Sequence, residues 1–336
     1  MADPLRLVFF GSDAIALPLL DWLAAEGSAI AKVIAVYTQP DRAVGRGQKI
    51  VPNAIKSWAL AREIAVLQPE KIAEDVRAHY ATLAADVALV MAYGHILREN
   101  VIATPRFGTF NLHASILPRY RGASPIHTAI ACGERETGVA FMRMVLKLDA
   151  GPVADVERVP IAPLDTALDV EAKLAAACVP LLRRTLPAIR NEVLSFVAQD
   201  DSAASYCRKL EKEDGALDFA APAAELAARV NGLFPWPACS VEINGQTVKF
   251  GLAEALQGEC HTLYDVMPGA GFVLGSDAEG LVIETGGGLL RVRRLQRPGG
   301  KMLPAAEFLR GFPVAAGTRI ESRPMRPLVS ATPFRK

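Results

Sequence analysis

Asn111 and His113 stand two residues apart at the end of the apolar stretch Thr109-Phe110, and Asp149 follows in Leu148-Asp149-Ala150-Gly151. If the chain stays extended at Asn111, both side chains point to one face. An amide can hold a carbonyl oxygen as it gains charge, and an imidazole can move a proton. A carboxylate that reaches the imidazole can fix its tautomer and stabilise its cation. Together the three residues suit acyl transfer. Singly, each has an ordinary role: Asn111 as a turn or cap residue, His113 as a structural histidine, Asp149 as a turn carboxylate. The spacing by itself leaves both readings open. Pro118, Arg119 and Arg121 follow at once, as expected at the mouth of a site for an anionic substrate.

The elements that would position these residues read as an α/β sheet. Leu5–Phe10, Ile30–Thr38, Ala65–Leu67 and Val87–Met91 are apolar strand segments. Between them lie helical stretches near 17–25, 54–63 and 71–84. Strands without polar alternation, separated by helices, imply a parallel sheet covered on both faces. The strand before Asn111 extends it, 138–145 is expected to join it, and a long amphipathic helix covers 168–190. Ligands of such sheets bind beyond the carboxyl ends of the strands. Gly11, Gln39, Tyr93 and the Asn111/His113 pair all fall there.

After residue 199 the pattern changes. Gln199-Asp200-Asp201-Ser202-Ala203-Ala204 is small and polar, and reads as a linker. Beyond it, Asn244-Gly245 between two alternating runs predicts a hairpin, and short strands follow at 271–274, 281–284 and 289–295. The expected organisation is a Rossmann-like α/β domain over 1–198, a linker over 199–206 and a small β-barrel over 207–330.

With 336 residues the chain can bury two cores, and 51% apolar residues exclude a disordered polymer. No apolar run is long enough to span a membrane. The N-terminus, with Asp3 and Asp13 around a short apolar core, is a poor signal peptide. Five cysteines with no C-x-x-C suggest neither a disulfide framework nor a zinc site, and fit a reducing cytoplasm. The histidines show no ligand spacing, so no metal is expected. The turn Gly11-Ser12-Asp13-Ala14 lacks G-x-G-x-x-G, and Gly45-Arg46-Gly47-Gln48-Lys49 lacks a P-loop ending, which counts against NAD and nucleoside triphosphates.

The net charge of +1 hides two basic stretches. Gln39–Lys49 carries Arg42, Arg46 and Lys49 against Asp41. Arg291, Arg293, Arg294, Arg297 and Lys301 follow one another with no acid between them. On a strand, Arg291 and Arg293 share a face. Two separated basic surfaces suggest an extended polyanion.

The run Asn111-Leu112-His113-Ala114-Ser115-Ile116-Leu117-Pro118-Arg119-Tyr120-Arg121-Gly122 resembles the signature of enzymes that use 10-formyltetrahydrofolate. Leu148-Asp149-Ala150-Gly151 is similar to their later Asp-containing loop. Gln39–Gly47, Tyr206–Glu213, Phe234-Pro235-Trp236-Pro237 and Leu295–Lys301 narrow the likeness to the methionyl-tRNA formyltransferase family, over essentially the whole chain. The chain departs from the family pattern at Ser12-Asp13-Ala14-Ile15, at Lys147 and at Ala150.

The resemblance implies a Rossmann-like formyltransferase domain and an OB-like β-barrel domain. It implies formyl transfer from 10-formyltetrahydrofolate to the α-amine of initiator methionyl-tRNA, with Asn111, His113 and Asp149 as the catalytic set. Ser115, Ile116, Leu117, Pro118, Tyr93 and Gly94 would line the folate site. Arg42, Arg46, Lys49, Arg291, Arg293 and Lys301 would meet tRNA. A cytoplasmic monomer is expected. Two rivals share parts of this pattern. One is a sugar-nucleotide N-formyltransferase with the same folate donor, against which the basic loop and second domain count. The other is a non-catalytic tRNA-binding protein, against which the intact polar triad counts.

Overall fold

The computed structural model describes residues 3–44, 49–72, 74–256 and 269–334. In chain order the strands of the α/β part are β1 (Leu5–Phe10), β2 (Ala31–Tyr37), β3 (Arg42–Val44), β4 (Lys49–Val51), β5 (Ala65–Leu67), β6 (Val87–Val90), β7 (Thr109–His113), the two-residue β8 (Arg121–Gly122), β9 (Glu136–Arg143) and β10 (Val153–Pro160). Its helices are α1 (Leu17–Ala24), α2 (Ala54–Leu60), α3 (Glu74–Thr82), α4 (Glu99–Ile102) and the long α6 (Ala167–Arg190), while the intervening α5 (Pro125–Ala131) belongs to the second compact unit. By internal contacts the chain separates into two compact units. The first comprises Met1–Arg121, Gly138–Val159 and Glu171–Ala204, and the second comprises Gly122–Thr137, Pro160–Val170 and Ser205–Lys336.

The first unit is built on a sheet of order β10-β9-β7-β6-β1-β2-β5. The five strands from β7 to β5 run parallel. Every residue of β6 is buried, and β1 exposes only Arg6, as continuous apolar strands require when both faces are covered. Phe10, Tyr37, Tyr80 and Tyr93 pack ring to ring against one face.

Three features differ from the sequence expectation. β9 joins the sheet but pairs antiparallel with β7, with Phe110 opposite Arg143 and His113 opposite Ala140. β10, whose residues are mostly half-buried and give little periodic signal, is an additional edge strand. The presumed loop after β2 holds a short antiparallel hairpin, β3 with β4.

The second unit contains β11 (Tyr206–Cys207), α7 (Ala223–Leu233), β12 (Cys239–Ile243), β13 (Gln246–Leu256), β14 (Val273–Ser276), β15 (Leu281–Glu284), β16 (Leu289–Gln296), β17 (Leu303–Pro304), α8 (Ala305–Gly311) and β18 (Val329–Ser330). Its main sheet, β12-β13-β16-β15-β14, is antiparallel and curls into a half-barrel around a core that includes Phe219, Leu226, Phe250 and Phe308. Asn244-Gly245 makes the predicted turn between β12 and β13. Among the described residues, no helix is long and apolar enough to cross a membrane.

Candidate active site

The carboxyl ends of β1, β2, β6 and β7 lie level. Phe10 pairs with Tyr37 and with Val90, and Val90 pairs with Asn111. Beyond them the chain is tied together by polar contacts. Gly11 N–H donates to the Tyr37 carbonyl at 3.0 Å, and Ser12 N–H to that of Ala92 at 3.1 Å. Gln39 donates through its backbone N–H to Ser12 Oγ at 3.0 Å and through Nε2 to the Tyr93 carbonyl at 3.0 Å. A Cβ on Gly11 would sit 2.7 Å from the Met91 carbonyl, so only glycine lets β1 leave the sheet this close to its neighbour. The structure thus brings Gly11, Gln39 and Tyr93 together as expected.

Asn53, which caps α2 by accepting the Lys56 N–H at 3.0 Å, also donates to the Gln39 carbonyl at 3.1 Å. Gln68 Nε2 reaches the same carbonyl at 2.7 Å and Asp41 Oδ1 at 2.8 Å. Hydrogen bonds from Lys56 and Gln68 hold the Asp41 carboxyl below its ordinary range. These residues fasten the base of the β3–β4 hairpin to the edge of the site.

On β7, Asn111 is half-buried, and its amide makes no hydrogen bond among the described residues. His113 is buried, at 6% exposure. Its Nε2 lies 2.9 Å from the Tyr120 carbonyl oxygen. A carbonyl only accepts, so Nε2 carries the hydrogen. The other nitrogen, Nδ1, faces Asp149 Oδ2 at 3.8 Å.

Asp149 arrives by an indirect route. β9 runs away from the His113 end of β7, so the loop from Met144 to Pro152 must turn back to return the carboxylate to His113. Asp149 itself takes a left-handed backbone (φ 49°), which aspartate tolerates better than most residues. A Cβ on Gly151 would lie 1.7 Å from the Arg143 carbonyl oxygen, so the returning chain has room for no side chain there. Gln199 Nε2 donates to the carbonyls of Asp149 at 2.8 Å and Gly151 at 2.6 Å. Gln199 Oε1 accepts from Arg121 Nε at 3.0 Å and Nη2 at 2.8 Å.

Arg121 therefore corrects an expectation. It is fully buried rather than at the mouth of the site, and its Nη1 also pairs with Asp201 at 2.8 Å. A guanidinium has five donors in a fixed fork, and these partners occupy the fork inside the protein. Gln199 and Asp201, read from composition as linker, hold the loop that carries Asp149. No periodicity or motif marks Gln199 for this task, so sequence reasoning missed it.

The folate-lining candidates divide. Ser115 is fully buried, donates from Oγ to the Arg119 carbonyl at 2.7 Å and from its N–H to the His113 carbonyl at 2.9 Å. Leu117 packs with Ala140 and Met142, while Ile116 and Pro118 are half-buried. Ser115 and Leu117 thus shape the turn that brings the Tyr120 carbonyl back to His113. Tyr93 is buried. Its ring lies in the core against Phe10, 5.4 Å between centroids, and burial pushes its phenol well above the ordinary range. The Tyr93 carbonyl accepts from Gln39 Nε2 at 3.0 Å, and Gly94 beside it is exposed.

Of the basic candidates, Arg42 is exposed on β3. Lys49 begins β4, and Arg46 lies outside the described residues. Arg291 and Arg293 share one face of β16, but both guanidiniums meet Glu254, at 3.2 and 2.9 Å. Asp277 completes a pair with Arg291 and Glu279 one with Arg293. The acids come from neighbouring strands and turns, so a reading along the chain misses them. Lys301 is exposed. Among the described residues, no group of three or more His, Cys, Asp or Glu side chains is placed to hold a metal ion.

Comparison with known proteins decides the family. The formyl transferase model matches residues 5–186, and the formyl transferase C-terminal domain model matches 209–313. A methionyl-tRNA formyltransferase of Aromatoleum aromaticum is 39% identical over 322 residues, covering 96% of this chain and 98% of the other. One from Burkholderia pseudomallei strain K96243 is 41% identical over 329 residues, covering 95% and 98%. The chain belongs to the methionyl-tRNA formyltransferase family. Solved structures share its fold at low identity. WlaRD, a sugar 3N-formyl transferase, superposes with a TM-score of 0.62 at 18% identity, over 88% of this chain and 98% of its own. An N-formyltransferase from Helicobacter canadensis gives 0.63 at 18%, over 87% and 99%. The family likeness read from Asn111–Gly122 and the later stretches is thereby borne out, as are the Rossmann-like and curled β architectures.

Proposed function

We propose that this chain transfers a formyl group from 10-formyltetrahydrofolate to the α-amino group of initiator methionyl-tRNA. The observation that carries the proposal is the approach of Asp149 to His113 Nδ1, beside an Asn111 amide that has no protein partner among the described residues. The full-length family relationship supplies the substrate class. Structures of WlaRD and HypX, distant in sequence, were obtained with 5-N-formyl-THF and tetrahydrofolic acid, which agrees with a folate-borne donor.

The chemistry makes three demands. The amine must be neutral, the formyl oxygen must be held as it gains charge, and the departing folate nitrogen must receive a proton. A free α-amino group has a pKa of about 7.7–8.0, so much of it is protonated near neutrality. The Asn111 amide N–H can donate to the formyl oxygen as the C–N bond forms. His113 Nδ1 can accept a proton lost by the amine, because Nε2 is already committed to the Tyr120 carbonyl. Asp149 then stabilises the resulting imidazolium. The same proton can pass to the leaving nitrogen as the old C–N bond breaks.

In this reading residues 1–198 form the catalytic domain, 199–206 the connection and 207–330 the tRNA-binding domain. Backbone groups of the 115–118 turn and of Tyr93-Gly94 border the folate. Arg42, Arg46, Lys49 and Lys301 supply cations toward tRNA, while Arg291 and Arg293 are largely compensated by their acids. Sugar-nucleotide N-formyl transfer is the second reading, and it rests on fold likeness alone. The test supplies 10-formyltetrahydrofolate with either methionyl initiator tRNA or an amino-sugar nucleotide. Formylated aminoacyl-tRNA is the expected product; formylated sugar alone would overturn the proposal.

A further inference from the structure

An open groove of about 690 Å³ lies beside the outer face of the half-barrel in the second unit. Its edge is Trp236, 52% exposed, in Phe234-Pro235-Trp236-Pro237. A large aromatic ring left in water next to a groove is unusual enough to ask what covers it. The groove is also lined by Lys212, Lys249, Arg297 and Arg323, with Glu213 as its acid.

Strand alternation explains why Lys249 faces outward. Val241, Val248, Phe250 and Leu295 point into the barrel core. Ser240, Lys249 and Gln296 lie side by side across β12, β13 and β16, on the opposite face. Gln296 Nε2 donates to the Gly300 carbonyl at 2.6 Å and so closes the turn that carries Arg297. Arg323 donates to the Ser240 carbonyl.

The decisive contrast is in charge compensation. Arg208, Arg291, Arg293 and Arg326 in the same unit all pair with carboxylates. Lys212, Lys249, Arg297 and Arg323 have no carboxylate partner among the described residues. The unit therefore cancels Arg291 and Arg293 on β16 and leaves uncancelled the four cations around the tryptophan. Uncompensated cations beside an exposed indole are the combination that takes a nucleotide. The cations meet phosphates, and the ring takes the face of a base. A base inside a duplex has both faces covered by its neighbours, so the base must be unstacked.

We propose that this groove binds an unpaired nucleotide of the tRNA, with its base stacked on Trp236 and its flanking phosphates held by Lys212, Lys249, Arg297 and Arg323. This deepens the tRNA reading above and rests on it for the choice of RNA. It also moves the main RNA contact of the second unit from Arg291 and Arg293 to the opposite side of the charge ledger.

The experiment uses intrinsic fluorescence of the full chain, titrated with initiator tRNA and with a single-stranded RNA oligonucleotide, without formyl donor. Trp22 and Trp58 are buried, so a change on RNA addition reports Trp236. Quenching is expected in the wild type and absent in Trp236→Ala. Stacking is worth roughly 1–3 kcal/mol per base, so Trp236→Ala should weaken tRNA binding about 5- to 150-fold, and Trp236→Phe should recover much of it. Lys249→Ala should reduce the salt slope of binding by roughly one. In formylation, Trp236→Ala should raise KM for tRNA and leave kcat at saturation unchanged. Absence of quenching in wild type overturns the proposal even if the alanine variant fails to fold. So does a folded Trp236→Ala with unaltered affinity. If the chain binds and quenches with RNA yet formylates no tRNA, the functional reading fails and the groove stands.

Discussion

His113 Nδ1 faces Asp149 Oδ2 at 3.8 Å, while its Nε2 donates to the Tyr120 carbonyl. The tautomer is thus fixed by the backbone and not by the carboxylate. In the neutral ring a lone pair faces Asp149 at a separation too long for a hydrogen bond. A proton taken up at Nδ1 turns this contact into an attractive ion pair. Asp149→Asn keeps the size of the side chain and removes the charge that stabilises the imidazolium. We expect kcat for formyl transfer to fall by about 10²–10⁴. Single-turnover formylation at saturating substrates measures it, and a rate within twofold of wild type would remove Asp149 from the mechanism.

Asn111 separates catalysis from stability. Its amide makes no hydrogen bond among the described residues, so Asn111→Ala breaks none in the fold. Loss of one oxyanion donor costs ~2.7–4 kcal/mol in the transition state, or about 10²–10³ in kcat. The thermal midpoint should move little by comparison. Paired kcat and Tm measurements check this; a large loss of Tm with kcat retained would make Asn111 structural.

Gln199 touches no reacting group in this scheme, yet it should matter. Its Nε2 holds the carbonyls of Asp149 and Gly151, and its Oε1 takes two bonds from buried Arg121. Gln199→Glu can still accept from Arg121 but cannot donate to the two carbonyls. The Asp149 loop should then lose its fixed position. Misplacement by ~1 Å can cost about 10²-fold in rate. We expect kcat to drop in Gln199→Glu and Gln199→Ala alike, with KM for tRNA unchanged. If Gln199→Glu retains full kcat, the donor half of this side chain has no positioning role.

The sheet was legible because its strands, from Leu5–Phe10 to Val87–Val90, are apolar apart from Arg6 and Lys32 near the starts of β1 and β2, a pattern that burial on both faces forces. Asn111 and His113 were legible because two-residue spacing on a strand fixes a shared face. The return of Asp149 was not, since it depends on Gly151 meeting the Arg143 carbonyl and on Gln199, which follows far along the chain. Arg121 shows the same limit. Its charge suggested exposure, but Gln199 and Asp201 supply enough acceptors to bury it. Arg291 and Arg293 looked uncompensated along the chain because Glu254, Asp277 and Glu279 approach them only through strand pairing and turns.

Asp214 gives the second unit a predictable acid sensitivity. Burial alone would raise its carboxyl, but hydrogen bonds from Arg208 and the Glu211 N–H outweigh burial and hold it below the ordinary range. Arg208 Nη1 and Nη2 reach its two oxygens at 2.7 and 2.5 Å, and the Asp214 side chain is fully buried. The unfolded carboxyl titrates near 3.9. With the folded value lower, the unfolded chain binds this proton more readily. The stability it contributes is complete above about pH 5 and is lost as pH falls through the folded value. Asp214→Asn leaves Arg208 without its anion, at a cost of about 3 kcal/mol near neutrality. Denaturant unfolding of both proteins from pH 7 to pH 3 reads the difference directly. The gap should narrow below about pH 4, because acid then removes from the wild type the charge that the variant already lacks. A gap that stays constant across this range would mean that the carboxylate charge is not what Arg208 requires.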